Sequence, residues 1–220
     1  MGDHETDEIT PRALALWEIL SVTVSCLIAE WVVLSFLSPH RWLVIIPAVV
    51  ALSYMILSHQ TYRETAQTIG FRTDNLIPAL RVLLWPTLIA IILIVMIGWL
   101  IAGPPSPSRL LRPRLLLLPL WALFQQYALQ GFLNRRVQVV FGKGGKSVVL
   151  VALIFSVLHL PNLALSGLTL LGGLIWGYVY QRQANLYALA ASHTVASLSL
   201  VMALPYSVIN GLRVGFKYFG

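Results

Sequence analysis

Two histidines, and three glutamines within six residues of one another, stand in apolar runs of the second half of this chain, where no aspartate or glutamate follows Asp74. His159 lies in the segment FSVLHLPN and His193 in ASHTVAS. Imidazole takes and gives a proton near neutral pH, so either ring could act as a general base. Gln125, Gln126 and Gln130 are neutral amides, able to hold a water and to donate to a developing oxyanion but not to accept a proton. Ser197 stands four residues after His193, one helical turn on and facing the same way. The chemistry within reach of this set is hydrolysis in a dry site, with base work falling to a histidine. A metal-assisted version is poorly supplied, because two neutral histidines and amides fall short of the three protein ligands usual for catalytic zinc. No cofactor is firmly implied and no metal ligand is assigned.

Each of these residues also has a structural reading. Transmembrane glutamines commonly hydrogen-bond between helices and hold a bundle together. A histidine at a helix end, as Pro161 implies for His159, is commonly an interfacial group, whereas His193 falls in the middle of an apolar run. Glu30, in CLIAEW, is an acid with apolar residues on both sides. A carboxylate in hydrocarbon indicates function or an ion pair by default. Glu30 is therefore the candidate compensating carboxylate, expected to project into one cavity with Gln125, His159 and His193. Glu18 is expected at the membrane interface, near the start of its helix.

The elements that must position these groups are membrane helices. Of 220 residues, 58% are hydrophobic and only 10% are charged, far from the balance of a soluble domain. Apolar runs long enough to cross a bilayer predict an all-α polytopic bundle of about seven spans, at 13–37, 42–59, 78–102, 115–133, 147–160, 163–181 and 184–204. The organisation expected is a polar tail at 1–12, N-terminal membrane helices over 13–114, a core at 115–204 and a C-terminal tail at 205–220. A short surface helix near 60–77, ended by Gly70, is expected between the second and third spans. The fifth span is short and is expected to extend into the Lys143–Lys146 loop or to tilt little. Gly172, Gly173 and Gly177 in the sixth span predict close helix packing. The N-terminus is acidic and lacks a small-residue cleavage site, so no removable signal peptide is expected. Cys26 is the only cysteine, which excludes an intrachain disulfide. The net charge of +7 falls in loops and helix ends, where it sets topology and meets lipid headgroups rather than nucleic acid. Nine Lys and Arg on the N-terminal side against six, including Arg41 and Arg112, on the other favour a cytoplasmic N-terminus in a prokaryotic plasma membrane.

In order and spacing, residues 120–200 resemble the CPBP family of intramembrane endopeptidases (CAAX-processing and bacteriocin-processing, also called Abi). The family pattern is Glu-Glu-x-x-x-Arg, then Phe-x-x-x-His, then His-x-x-x-Asn. The second motif is matched by Phe155 and His159, followed by the family-like Leu160-Pro161-Asn162. The third begins at His193, with Ser197 in place of Asn. The stretch from Gly173 to Arg182 looks like the family helix between the two histidines. The first motif is rewritten, with Gln125 and Gln126 at the two Glu positions and Gln130 at the Arg position, followed by Gly131. The resemblance implies that Gln125 and His159 take the water-activating role and that His193 and Ser197 stabilise the oxyanion. Gln126 joins the catalytic set, and Gln130 and Asn162 are supporting residues. Replacing Glu-Glu and Arg together removes a charge set as a unit, which avoids stranding a buried ion.

Two functions follow from the resemblance, and a third from the residues. The first is an intramembrane endopeptidase cleaving a C-terminal or membrane-proximal segment of a peptide or lipoprotein in the bilayer. The second is a catalytically inactive relative that binds such segments as an immunity or regulatory factor. The third is a small transporter or channel, disfavoured because the chain shows no inverted repeat of the kind common in transporters. Oligomeric state is not legible in the sequence.

Overall fold

A computed structural model describes residues 10–33, 35, 45–111 and 113–220. The tail before residue 10, Arg41, Arg112 and the predicted start of the second span lie outside the described residues. Among those described, the chain is all-helical. Helix α1 (Pro11–Ile28) begins at Thr10, whose Oγ1 accepts from the Ala13 N–H at 3.3 Å, and runs on into a π-helical turn, Ala29–Val33. Helix α2 covers Ile45–Thr61 and α4 covers Leu76–Ala102. Between them lies a single helical turn, α3 (Ala66–Ile69), with a reciprocal Thr65–Thr68 capping box. Gly70 ends it at φ 112°, a left-handed conformation that suits glycine, and its carbonyl accepts from the Leu186 N–H at 2.9 Å.

A long helical rod follows two 3₁₀ turns. It comprises α5 (Leu118–Gln126), a π-helical segment Tyr127–Asn134 and α6 (Arg135–Phe141). Then come α7 (Gly145–Val157), α8 (Leu163–Arg182) and α9 (Leu186–Ala203). Asparagines cap the last two: Asn162 Oδ1 accepts from the Leu165 N–H at 3.1 Å and Asn185 Oδ1 from the Ala188 N–H at 2.9 Å. Helix α7 takes in Lys146 from the loop, as expected, and stops at Val157, which leaves His159 in the turn beyond it.

The expectation of seven spans is only partly met. Among the described residues, four segments are long and apolar enough to cross a bilayer: Pro11–Val33, Leu76–Ala102, Leu163–Arg182 and Leu186–Ala203. Helix α7, with 13 residues, is too short at 1.5 Å per residue for an untilted crossing of about 30 Å. The outer surface is apolar, with Trp85 70% and Leu100 80% exposed. Lipid supplies no hydrophobic force between helices, so their contacts depend on close approach at small residues. A Cβ on Gly173 would lie 2.9 Å from Ala152 Cα, so α7 and α8 touch backbone to backbone. A Cβ on Gly98 would lie 2.6 Å from the Ala203 carbonyl oxygen, which fixes α4 against α9.

One polar cluster corrects two expectations. Arg136 is fully buried, not a loop or helix-end charge, and Glu18 is 3% exposed, not interfacial. Arg136 Nε lies 2.8 Å from Glu18 Oε2 and its Nη1 lies 2.9 Å from Glu64 Oε2. Its Nη2 donates to Ser58 Oγ at 2.8 Å, and Ser58 donates to Glu18. Glu64 also bonds His59 Nδ1 at 2.6 Å and is paired with Arg135. The Tyr62 ring lies 3.9 Å from the Arg136 guanidinium carbon and the Phe132 ring 4.9 Å, so two aromatic faces enclose it. Neither carboxylate would tolerate this burial without a cation, so the cluster ties α1, α2 and the segment before α3 to α6.

Candidate active site

The site is built on the segment after α7, the middle of α9 and the junction between α5 and its π-helical extension. Pro161 and the Asn162 cap end one helix and start the next, which leaves His159 at a break in the backbone. The Nδ1 of His159 donates to the Phe155 carbonyl at 2.7 Å. A carbonyl only accepts, so Nδ1 carries the ring proton and Nε2 is left as an acceptor. His193 is set the other way. The Gln126 amide nitrogen donates to His193 Nδ1 at 3.2 Å, which places the ring proton on Nε2. The Phe155 ring meets both imidazoles edge to face, at 4.6 Å from His159 and 6.0 Å from His193. Trp176 lies against His193 at 4.5 Å with the planes 30° apart. The two histidines are thus held in opposite tautomers by aromatic walls and fixed hydrogen bonds.

Both rings line a cavity of about 1190 Å³ that is walled mainly by apolar side chains of α1, α2, α4, α5, α8 and α9. Gln125, Ser197 and Glu30 line it too, so the structure brings five of the sequence-selected residues to one space. The Oε2 of Glu30 is buried without a hydrogen-bond partner among the described residues. Gln126 is fully buried at the edge of this group, bonded to His193, with its own Oε1 unpartnered among the described residues.

Two selected residues serve elsewhere. Gln130 Oε1 accepts from Asn134 Nδ2 at 2.6 Å, and Asn134 Oδ1 in turn accepts from Gln138 at 2.9 Å. Gln126 and Gln130 are four apart, a spacing that puts two residues on one face of a regular α-helix. Gln126 ends the α-helical part, and the i→i+5 widening that follows sends the two amides to different partners. Asn162 caps α8, and its Nδ2 donates to the carbonyls of Ile209 at 2.9 Å and Arg213 at 3.2 Å. Its amide is spent on backbone.

Other groups at the cavity escape sequence reasoning. Trp176 Nε1 donates to Ser192 Oγ at 3.1 Å, and Ser192 shares a 2.7 Å hydrogen bond with Thr87 of α4. All three line the cavity, as do Arg213 and Lys217 from the segment read as a simple C-terminal tail. A tryptophan inside an apolar helix gives no sign of its partner. The two cations could have been flagged as the only Lys or Arg after Arg182. Among the described residues, no three His, Cys, Asp or Glu side chains converge as a metal site would require.

Residues 107–199 match the family model described as Type II CAAX prenyl endopeptidase Rce1-like. The match takes in α5, the π-helical segment and α6 through most of α9, and with them Gln125, Gln126, His159, His193 and Ser197. No curated protein and no solved structure matches the chain significantly.

Proposed function

From this CAAX-endopeptidase-like, intramembrane-protease-like core, we propose that the chain hydrolyses a peptide bond in a C-terminal or membrane-proximal segment that enters the cavity from the bilayer. The observation that carries the reading is the pair of opposed tautomers. His159 Nε2 is free to accept a hydrogen from water, and His193 Nε2 carries a hydrogen to donate to the carbonyl oxygen as it gains charge. Ser197, which lines the cavity with His193, is a second donor for that oxygen. Gln125 orients the water by accepting or donating a hydrogen bond. The apolar walls exclude bulk water and strengthen each of these interactions. In the reaction the water oxygen bonds the carbonyl carbon while His159 takes one proton. The C–N bond then breaks as that proton passes to the leaving nitrogen.

A second reading, a binder without turnover, is favoured by one feature. Both positions of the family's Glu pair hold amides, and Gln126 is committed to the His193 ring. The two readings separate with purified protein in detergent and a library of apolar, C-terminally anchored peptides, measuring affinity and cleavage together. Cleavage that disappears in His159→Ala and His193→Ala supports the peptidase. Saturable binding that survives with no product from the unsubstituted chain supports the binder and overturns the peptidase.

A further inference from the structure

The peptidase reading leaves one requirement unmet, and Glu30 meets it. When His159 takes a proton from water it becomes a cation inside an apolar cavity already lined by Arg213 and Lys217. A buried positive charge with no counter-charge is costly, and in the family pattern a Glu on α5 would offset it. Here that position is Gln125. Among the described residues lining the cavity, Glu30 is the only carboxylate. It comes from a different helix, in the π-helical turn that extends α1. Such turns depart from regular α-helix and are frequent where side chains serve a site.

The fold holds this turn against the His159 loop through one residue. The Gly215 N–H donates to the Leu160 carbonyl at 2.8 Å, immediately after His159. On its other side Gly215 presses on Glu30, so closely that a Cβ there would lie 2.8 Å from both Glu30 Cβ and the Glu30 carbonyl oxygen. Gly215 sits at φ +54°, the left-handed region in which glycine is at ease. Trp31, next in sequence, packs at a tilt against Phe219 of the same C-terminal segment, with ring centroids 6.2 Å apart. The segment therefore clamps the Glu30 turn to the residue following the proposed base. The carboxylate it positions has an Oε2 that is buried and lacks any partner among the described residues.

We infer that Glu30 is a catalytic carboxylate of this cavity, relocated from α5 to α1, which accepts a hydrogen bond from the attacking water and offsets the imidazolium charge on His159. This rests on the peptidase reading. The proton balance is that of amide hydrolysis. His159 passes the first water proton to the leaving nitrogen, and Glu30 takes the second from the new carboxyl group and returns it to solvent.

The test uses the full chain in detergent with a peptide that the unsubstituted protein cleaves. Glu30→Gln keeps shape and removes charge. It is expected to lower kcat by about 10²–10⁴-fold, the range for loss of general acid–base help, with peptide affinity nearly unchanged. Glu30→Asp is expected to retain part of the rate. Adding Gln125→Glu to Glu30→Gln is expected to restore turnover from the other helix, which a merely structural role for Glu30 would not allow. A Glu30→Gln variant that cleaves at the full rate while His159→Ala is dead overturns the inference and leaves the peptidase reading standing. Loss of binding and rate together, rescued by neither Glu30→Asp nor Gln125→Glu, assigns Glu30 to folding and also overturns it. No cleavage by the unsubstituted chain overturns both.

Discussion

Replacing Arg136 with Met should destabilise the protein far more than replacing any exposed arginine, and the cause can be localised. Arg136 is fully buried and engages Glu18 at 2.8 Å, Glu64 at 2.9 Å and Ser58 at 2.8 Å. Glu64 keeps Arg135 and His59 when Arg136 is lost, whereas Glu18 keeps no cation among the described residues. The stranded charge is therefore Glu18, itself 3% exposed. Removing one partner of a buried ion pair costs about 3–5 kcal/mol. For a chain of this size each kcal/mol moves the melting midpoint by about 2–4 °C, so Arg136→Met should melt about 6–20 °C lower. Cys26, the only cysteine and partly buried in α1, gives the assay. A thiol-reactive fluorophore reports its exposure as the protein unfolds in detergent. The decisive comparison is the double variant Glu18→Gln/Arg136→Met, which removes both charges and should recover at least about 2 kcal/mol of the loss. A double variant no more stable than Arg136→Met, or a single variant within about 2 °C of the parent, would refute the reasoning.

The Glu64 carboxyl gives a pH prediction. Burial raises its pKa, but the His59 hydrogen bond together with the Arg136 and Arg135 charges outweighs this and holds it down at about 2. A depressed carboxylate contributes stability that is present above its unfolded value of about 4.5 and lost as pH falls toward about 2. Melting midpoints should therefore drop across that window, and Glu64→Gln should flatten the drop. At the α4–α9 contact, Gly98→Val places a side chain against the Ala203 backbone and should cost about 1–3 kcal/mol. Gly167→Val, with open space around it, should cost less in the same melt. Gly215→Val should displace the Glu30 turn and lower kcat more than it lowers the melting midpoint.

The apolar runs made the helices legible, and motif order selected Gln125, His159, His193 and Ser197, which line one cavity, whereas Glu30 was legible only as an acid within an apolar run. Two features escaped for physical reasons. The π-helical stretch Tyr127–Asn134 changes the register of a rod whose residue pattern reads as ordinary α-helix, so the partners of Gln126 and Gln130 could not be assigned from a spacing of four. The Glu18–Arg136 pair joins residues far apart along the chain, and no local pattern states such a pairing. Glu18 did carry a signal, a carboxylate within the apolar run of α1, but its place near the helix start favoured the interface. Among the described residues the count of seven spans is not confirmed: α7 is apolar yet short, and hydropathy alone does not distinguish a crossing from a buried core helix.

Whether the cavity hydrolyses peptide bonds is decided most directly by isotope incorporation. The purified chain is incubated with an apolar membrane-proximal peptide in ¹⁸O-labelled water, and the products are weighed by mass spectrometry. One ¹⁸O atom in the new C-terminal carboxylate, absent from His159→Ala and His193→Ala, is the predicted result. Peptide bound in the cavity with no labelled product, or labelled product that persists in both histidine variants, would contradict it.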